Sequence, residues 1–161
     1  MDQNYNNLQT NKFLFTLARI PETAFRVVSV EFPAISIPAP SASSTSANQF
    51  FAGSSVEYSP LSVTFIVDNG LKNYSELFNW ITLQQFSDSK VKSPESILYS
   101  DGSIITLTNA SNPNVVFEFK DMFPIDLGGI QFSTQDTPGP AMCSVTFQYS
   151  YFKIKRKIGE L

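Results

Sequence analysis

The stretch Cys143-Ser144-Val145-Thr146-Phe147-Gln148-Tyr149-Ser150-Tyr151 alternates apolar and polar side chains without a break in phase. Such alternation predicts a β-strand with one buried and one polar face, because successive side chains of a strand point to opposite sides. Strands of a parallel α/β core would be apolar on both faces. The stretch therefore predicts a mainly β protein, an antiparallel sandwich or barrel.

Other segments share this alternation or depart from it in one place. We predict strands at residues 61–65 and 114–120, and weaker ones at 11–19, 25–32, 103–108 and 129–133. Residues 71–86 instead carry apolar side chains at helical spacing, with Trp80 at the margin of the stripe, which predicts one flanking α-helix. Asn73 and Glu76 have the spacing of an N-terminal capping pair. The apolar stripe consists of Leu71, Tyr74, Leu77, Phe78 and Ile81.

The length and composition predict a single domain covering residues 1–161. The chain is 42% hydrophobic and only 16% charged, which excludes disorder of the whole chain. Residues 41–59 form a long, Ser-rich loop in this interpretation, and residues 87–103 form a second open segment. Neither has enough apolar residues for a core of its own, so neither is a second domain.

The composition argues against most kinds of catalysis. Without histidine, and with Cys143 as its one cysteine, the chain has no Ser-His-Asp relay, no His-ligated metal site and no intramolecular disulfide. Cys143 is in phase with the buried face and is interpreted as a small core residue. A hydrolase would need a carboxylate pair, and the candidate acids are scattered: Asp68, Glu76, Asp101, Glu118, Asp121, Asp126 and Asp136. We predict no enzyme, no cofactor and no metal.

Charge and hydropathy indicate the kind of partner. The net charge of −3 gives no general attraction to nucleic acid. No apolar run is long enough to span a bilayer, and residues 1–7 lack the features of a signal peptide, so we expect no membrane and a cytoplasmic site of synthesis. Phe50 and Phe51 follow the Ser-rich segment and fit either a loop anchor or a partner contact. After Tyr151 the apolar phase switches to Phe152 and Ile154, as a bulge or a strand meeting another chain would produce.

Four segments in order resemble a known family. They are Asn11-Lys12-Phe13-Leu14-Phe15-Thr16-Leu17, Glu31-Phe32-Pro33-Ala34-Ile35-Ser36-Ile37-Pro38, the strand 61–68 that runs into a helix containing Phe78-Asn79-Trp80, and the stretch 117–130 with its Phe123-Pro124 and Gly128-Gly129. Their order resembles the tail tube protein of contractile-tailed bacteriophages of the T4 type, over residues 11–151. The segment 87–112 matches no part of this pattern.

The resemblance implies a structural virion protein. In that family six copies of a β-sandwich with a flanking helix form a ring, and stacked rings make the inner tube through which DNA passes during ejection. It implies contacts with sheath, baseplate initiator and tail terminator proteins, assembly in the host cytoplasm and a final place in the tail. Phe50, Phe51, Phe152 and Ile154 become candidates for the contacts between subunits or rings. The candidates for facing the channel are small and polar: Ser62, Thr64, Ser144, Thr146, Gln148 and Ser150.

Two other readings stay open at this point. A small baseplate protein that initiates the tube, or the inner tube of an injection system, has the same class of fold. A carbohydrate- or receptor-binding sandwich is a different class, for which Trp80, Tyr58 and Tyr99 would supply stacking surfaces.

Overall fold

The computed structural model describes residues 7–20, 26–43, 48–86, 98–134 and 139–156. Within these ranges the chain forms eleven strands and one helix. In the described part of the chain, no helix is both long and apolar enough to cross a membrane. The strands are β1 (Phe13–Leu17), β2 (Val27–Glu31), β3 (Ile35–Ser36), β4 (Ser41–Ser43), β5 (Asn48–Phe50), β6 (Glu57–Tyr58), β7 (Leu61–Ile66), β8 (Ser100–Leu107), β9 (Pro113–Leu127), β10 (Met142–Gln148) and β11 (Tyr151–Arg156), and the helix is α1 (Lys72–Phe86).

Seven strands form one antiparallel sheet that doubles back on itself along β9. Its order is β1-β8-β9-β10-β7-β2, and β11 also pairs with β9. The first half of β9 lies between β8 and β11, whereas its second half pairs with β10. Asp121, with a φ of 55°, marks the change of partner. The left-handed backbone conformation of this residue bends β9, so that its two parts belong to different halves of the sheet. The predicted mainly β, antiparallel fold with one helix is confirmed.

The two halves of the sheet enclose the core. Phe147 of β10 is fully buried, and its ring centroid lies 6.3 Å from that of Phe15 on β1 in the opposite half. The indole of Trp80 closes the same space from α1, 6.1 Å from Phe147. The alternation in residues 143–149 is therefore confirmed: Cys143, Val145, Phe147 and Tyr149 are buried.

The strand predicted over residues 143–151 is broken before Tyr151, whose side chain is 38% exposed, and this break accounts for the switch of apolar phase. Strand β10 ends at Gln148, and the chain turns at Tyr149 and Ser150 before β11 begins on the other half of the sheet. The amide of Ser150 donates to the carbonyl of Lys120 and holds this corner to β9. Phe152 then packs against Phe119, so the chain crosses from one half of the sheet to the other without leaving its own subunit.

Helix α1 begins differently from the sequence prediction. Leu71 precedes it with a φ of 54°, and Asn73 lies inside the first turn. The buried Asn73 side chain turns back to the end of β7: Oδ1 accepts from the amide of Asp68 (3.2 Å) and Nδ2 donates to the carbonyl of Ile66 (2.9 Å). The capping pair was wrong, because Asn73 ties helix to strand and, within the described residues, Oε2 of Glu76 is buried without a hydrogen-bond partner.

Three boundaries also differ. Residues 129–133 form no strand. The strand predicted at 114–120 continues to Leu127, because the bend at Asp121 changes its partners without ending it. Most of the open segment 87–103 lies outside the described residues, as does Asp136.

The region predicted as a long loop contains paired strands. Strand β3 pairs with β6 and β4 pairs with β5, so residues 32–43 and 48–59, here called the arm, form a narrow two-stranded ribbon. The amide of Phe51 donates to the carbonyl of Pro40 at 3.0 Å between the two ladders. A Cβ at Gly53 would come within 1.9 Å of the Pro38 oxygen, so the close approach of the two chains requires glycine there.

Candidate assembly surfaces

The polar side of β7 and β10 carries a continuous row of hydroxyl groups. Ser144 lies opposite Thr64, and Thr146 lies opposite Ser62, on the face turned away from the core. We call these four residues the hydroxyl face. Gln148 continues the same row, whereas Ser150 lies beyond it at the corner between β10 and β11. The structure therefore brings together five of the six residues that the sequence proposed for the channel.

Neighbouring strands add carboxylates to this face. Glu31 of β2 is the register partner of Ser62, and Asp126 of β9 is the partner of Thr146. Both side chains are exposed. The sequence did not predict that these two acids lie beside the hydroxyl face. Their position depends on the pairing of β2 with β7 and of β9 with β10, which the sequence alone does not reveal. The signal available was the polar phase of Ser29 and Glu31 in the predicted strand 25–32. The resulting surface consists of small hydroxyl side chains flanked by acidic ones.

The outward face of the other half of the sheet carries paired charges. Lys120 forms an ion pair with Asp101, and Lys155 forms one with Glu118 at 2.7 Å. The hydrogen bond and negative charge of Asp101 raise the pKa of Lys120. These groups line a shallow, open cavity of about 580 Å³. Two of the candidate catalytic acids are thus bound to lysines rather than to each other.

The described residues contain no group of three or more carboxylate or cysteine side chains arranged to hold a metal ion. The Cys143 thiol is buried, its Sγ donates to the carbonyl of Gly128 at 3.1 Å, and burial raises its pKa. Its interpretation as a core residue is confirmed. Such a thiol is a poor nucleophile, because the thiolate is the reactive form.

The arm exposes large apolar side chains. Phe50 is 73% exposed and Phe51 is 54% exposed, and Ile35 and Ile37 are each 54% exposed on the same ribbon. The structure thus removes the reading in which Phe50 and Phe51 anchor a loop onto their own core. Exposed aromatic side chains on a projecting ribbon are the features that mark a protein contact.

The other interface candidates divide into two cases. Phe152 is half-buried among aromatic rings of its own chain. Ile154, two residues along β11, is 56% exposed. Of these two residues, Ile154 has the side chain that is accessible to a partner.

The aromatic side chains proposed for sugar stacking are engaged within the chain. Trp80 is buried, its Nε1 donates to the carbonyl of Leu98 at 2.8 Å, and the Arg19 guanidinium lies over its ring. Tyr58 packs against Tyr149 with the two rings tilted by 57°. Tyr99 packs edge-on against Phe123 while remaining partly exposed. These three rings do not form one platform for a sugar.

Comparison with known proteins points to contractile tails. No protein-family model matches the chain. The tail tube terminator protein of Enterobacteria phage T4 is 26% identical over 172 residues, covering 97% of this chain and 93% of the T4 protein. The alignment thus includes nearly all of both proteins.

Solved structures share the fold at lower identity. A chain of the sheath–tube complex of the extracellular contractile injection system PVC, in its extended state, has a TM-score of 0.67 and 15% identity, covering 96% of this chain and 95% of that one. The tube-terminating cap of the anti-feeding prophage has a TM-score of 0.65 and 16% identity, covering 98% and 100% of the two chains. These likenesses establish the fold.

The expectation of a structural protein rather than an enzyme is confirmed by the T4 relative, which is a tail tube terminator protein. The chain has a structural, tube-related role. It is a homologue of the tail tube terminator protein of phage T4, with the fold of the tube and terminator proteins of phage-type contractile systems.

Proposed function

We propose that this chain forms the terminal ring of the inner tube of a contractile phage tail, as a closed assembly of six copies whose channel admits DNA. The observation that carries the proposal is the near full-length sequence match to a tail tube terminator. The fold alone does not separate tube from terminator, because chains from the sheath–tube complex and from the terminating cap match about equally well. Sequence therefore favours the terminator.

The sheet supplies an edge for ring closure. Within the described residues β2 pairs only with β7, so its other edge has free amide and carbonyl groups. An unpaired edge strand invites pairing with another chain. Closing the sheet between copies covers this edge and leaves the hydroxyl face, with Glu31 and Asp126, lining the channel. Such a wall is wetted by water and repels phosphates, so DNA passes without binding.

The channel side can be tested by labelling. Ser144→Cys places a thiol on the hydroxyl face, and Ser103→Cys places one on the opposite outward face. In the ring, we expect a maleimide coupled to a folded carrier protein to label Ser144→Cys at least tenfold more slowly than Ser103→Cys, while a small maleimide labels both. The unsubstituted protein controls for its buried Cys143. Protection of the Ser103 position instead would reverse the assignment.

The second candidate is a tube subunit that stacks into long tubes. The match to the sheath–tube complex favours it. Electron microscopy over a concentration series separates the two. A terminator gives single rings, or short stacks whose length does not grow with concentration, whereas a tube subunit gives tubes of increasing length. Elongating tubes would overturn the terminator proposal and retain the conduit.

The remaining partners follow from this position. A terminal ring would contact the last tube ring and the end of the sheath in the virion tail. The exposed Phe50 and Phe51 of the arm, together with Ile154, are the proposed contacts.

A further inference from the structure

A cluster of aromatic rings holds the base of the arm. Phe32 and Tyr58 stand at the two ends of the arm, one on each of its chain segments. They meet four rings from the body of the protein. We call the six residues the aromatic clasp: Phe32, Tyr58, Phe117, Phe119, Tyr149 and Phe152.

Phe152 is the member that contacts both ends of the arm. Its ring centroid lies 5.6 Å from that of Phe32 and 5.7 Å from that of Tyr58, both in edge-on geometry. It also lies 5.3 Å from Phe119, which is fully buried on β9. Phe152 therefore links the arm to the core through the last strand of the chain.

Tyr149 adds a directional contact to this packing. Its buried hydroxyl donates to the carbonyl of Ser59 at 2.9 Å, and its ring packs 5.9 Å from Tyr58. The amide of Ser59 in turn donates to the carbonyl of Ala34 on the facing segment of the arm. One hydrogen bond thus fixes the residue that closes the base of the ribbon.

The arm cannot set its own direction. Its ladders comprise two and three residue pairs, and an isolated two-stranded ribbon of this kind is at most marginally stable in water. Its exposed apolar side chains contribute nothing to packing in the free protein. The geometry at its base must therefore decide how the arm is presented.

We infer that Phe152 and Tyr149 are positioning residues for assembly: the aromatic clasp locks the arm to the C-terminal strand and so presents Phe50 and Phe51 in the direction that a neighbouring subunit or ring requires. The inference rests on the proposed function for the role of the arm as an assembly contact. The lock itself is a property of the single chain. It makes the last strand part of the assembly apparatus, although Phe152 is half-buried within its own subunit.

The test compares Phe152→Leu with Phe132→Leu. Both changes replace a ring by an apolar side chain of similar length, but Phe132 is 80% exposed and lies outside the clasp. Hydrogen exchange is followed on the amides of Phe51 and Ser59, which report the arm, and on those of Val63 and Val145, which report the core. In Phe152→Leu we expect at least tenfold faster exchange at the two arm amides, with the core amides changed less than threefold. In Phe132→Leu all four rates stay at the wild-type value.

Assembly is measured on the same samples. Phe152→Leu should raise the protein concentration needed for half-maximal ring formation at least tenfold above that of the wild-type protein. If Phe152→Leu fails to fold, Tyr58→Leu breaks the clasp from the arm side and should give the same contrast. Wild-type exchange at Phe51 and Ser59 in a folded clasp variant would overturn the inference. Since exchange is measured on the monomer, a failure of the wild-type protein to form rings would refute the proposed function and leave this result interpretable.

Discussion

Replacing Phe147 by alanine tests the packing that joins the two halves of the sheet. The side chain is fully buried and faces Phe15 from one half and Trp80 from the helix. Burying an aromatic side chain removes about 150–250 Å² from water, which at about 25 cal/mol per Å² corresponds to roughly 4–6 kcal/mol. An alanine side chain still contributes a small part of this burial free energy, so we expect a loss of about 3–5 kcal/mol in the free energy of unfolding.

The loss is measured by chemical and thermal unfolding of the purified monomer. For a domain of this size the melting temperature should fall by roughly 6–20 °C. Ser144→Ala is the matched control, since it lies on the same strand and points to the opposite side. We expect that control to stay within about 0.5 kcal/mol of wild type. An unchanged melting temperature for Phe147→Ala, or an equal loss for Ser144→Ala, would refute the account of the core.

Three further changes test the helix start, the base of the arm and its tip. Asn73→Ala removes the side chain that joins α1 to β7 and should cost about 1–2 kcal/mol in denaturant unfolding, because part-buried backbone groups lose their hydrogen-bond partners; a cost under about 0.5 kcal/mol would contradict this role. Burial raises the pKa of Tyr149 from its ordinary value of 10.0 to about 12. The unfolded chain therefore loses this proton first, and stability conferred by the protonated hydroxyl falls as the pH rises from about 10 to about 12; absorbance titration should show one late phenol that Tyr149→Phe abolishes, and an unchanged titration in that variant would disprove the assignment. Phe50→Ser with Phe51→Ser should leave the melting temperature of the monomer unchanged but weaken ring assembly, because both side chains are exposed in the free chain; an unchanged assembly yield would remove the arm from the interface.

The sequence predicts the strands of the core well because one face of each is buried. Alternation in residues 143–149 leaves a single phase in which Val145 and Phe147 reach the core, and a shift by one residue would expose both. Local pattern and tertiary packing agree at these positions. The single helix is predicted from the helical spacing of its apolar side chains, but its buried side was placed incorrectly. Trp80, predicted at the margin of the stripe, is buried with Leu77, whereas Phe78 is 52% exposed.

Other features depend on contacts distant in sequence. The alternation of Val115, Phe117 and Phe119 stops at Asp121, so the sequence predicts the end of a strand there. The strand continues with a positive φ at Asp121, because β9 must serve both halves of the sheet. The arm reads as a Ser-rich loop because its ladders are short and its apolar side chains find no core. Asn73 has the spacing of a capping residue, yet its side chain bonds to the end of β7 as well as to the amide of Tyr74 in the first turn of its own helix.

The candidate surfaces were partly predictable. The row of hydroxyls follows from the polar phase of two strands, but the acids beside it required knowledge of strand order. Phe152 shows the opposite case, in which a switch of phase suggests a contact with another chain and the structure supplies a partner within the same chain. The proposed position at the end of the tube rests on the 26% sequence identity to the T4 terminator over 97% of the chain, since the fold alone does not separate tube from terminator.

The most direct measurement of the central claim is the mass and symmetry of the assembled protein. Light scattering on a concentrated sample, with electron microscopy of the same fractions, should show six-fold rings of about 107 kDa, six copies of a 17.9 kDa chain. A mass that stays at that of the monomer at every concentration, both alone and with the tube protein of the same phage, would contradict the account.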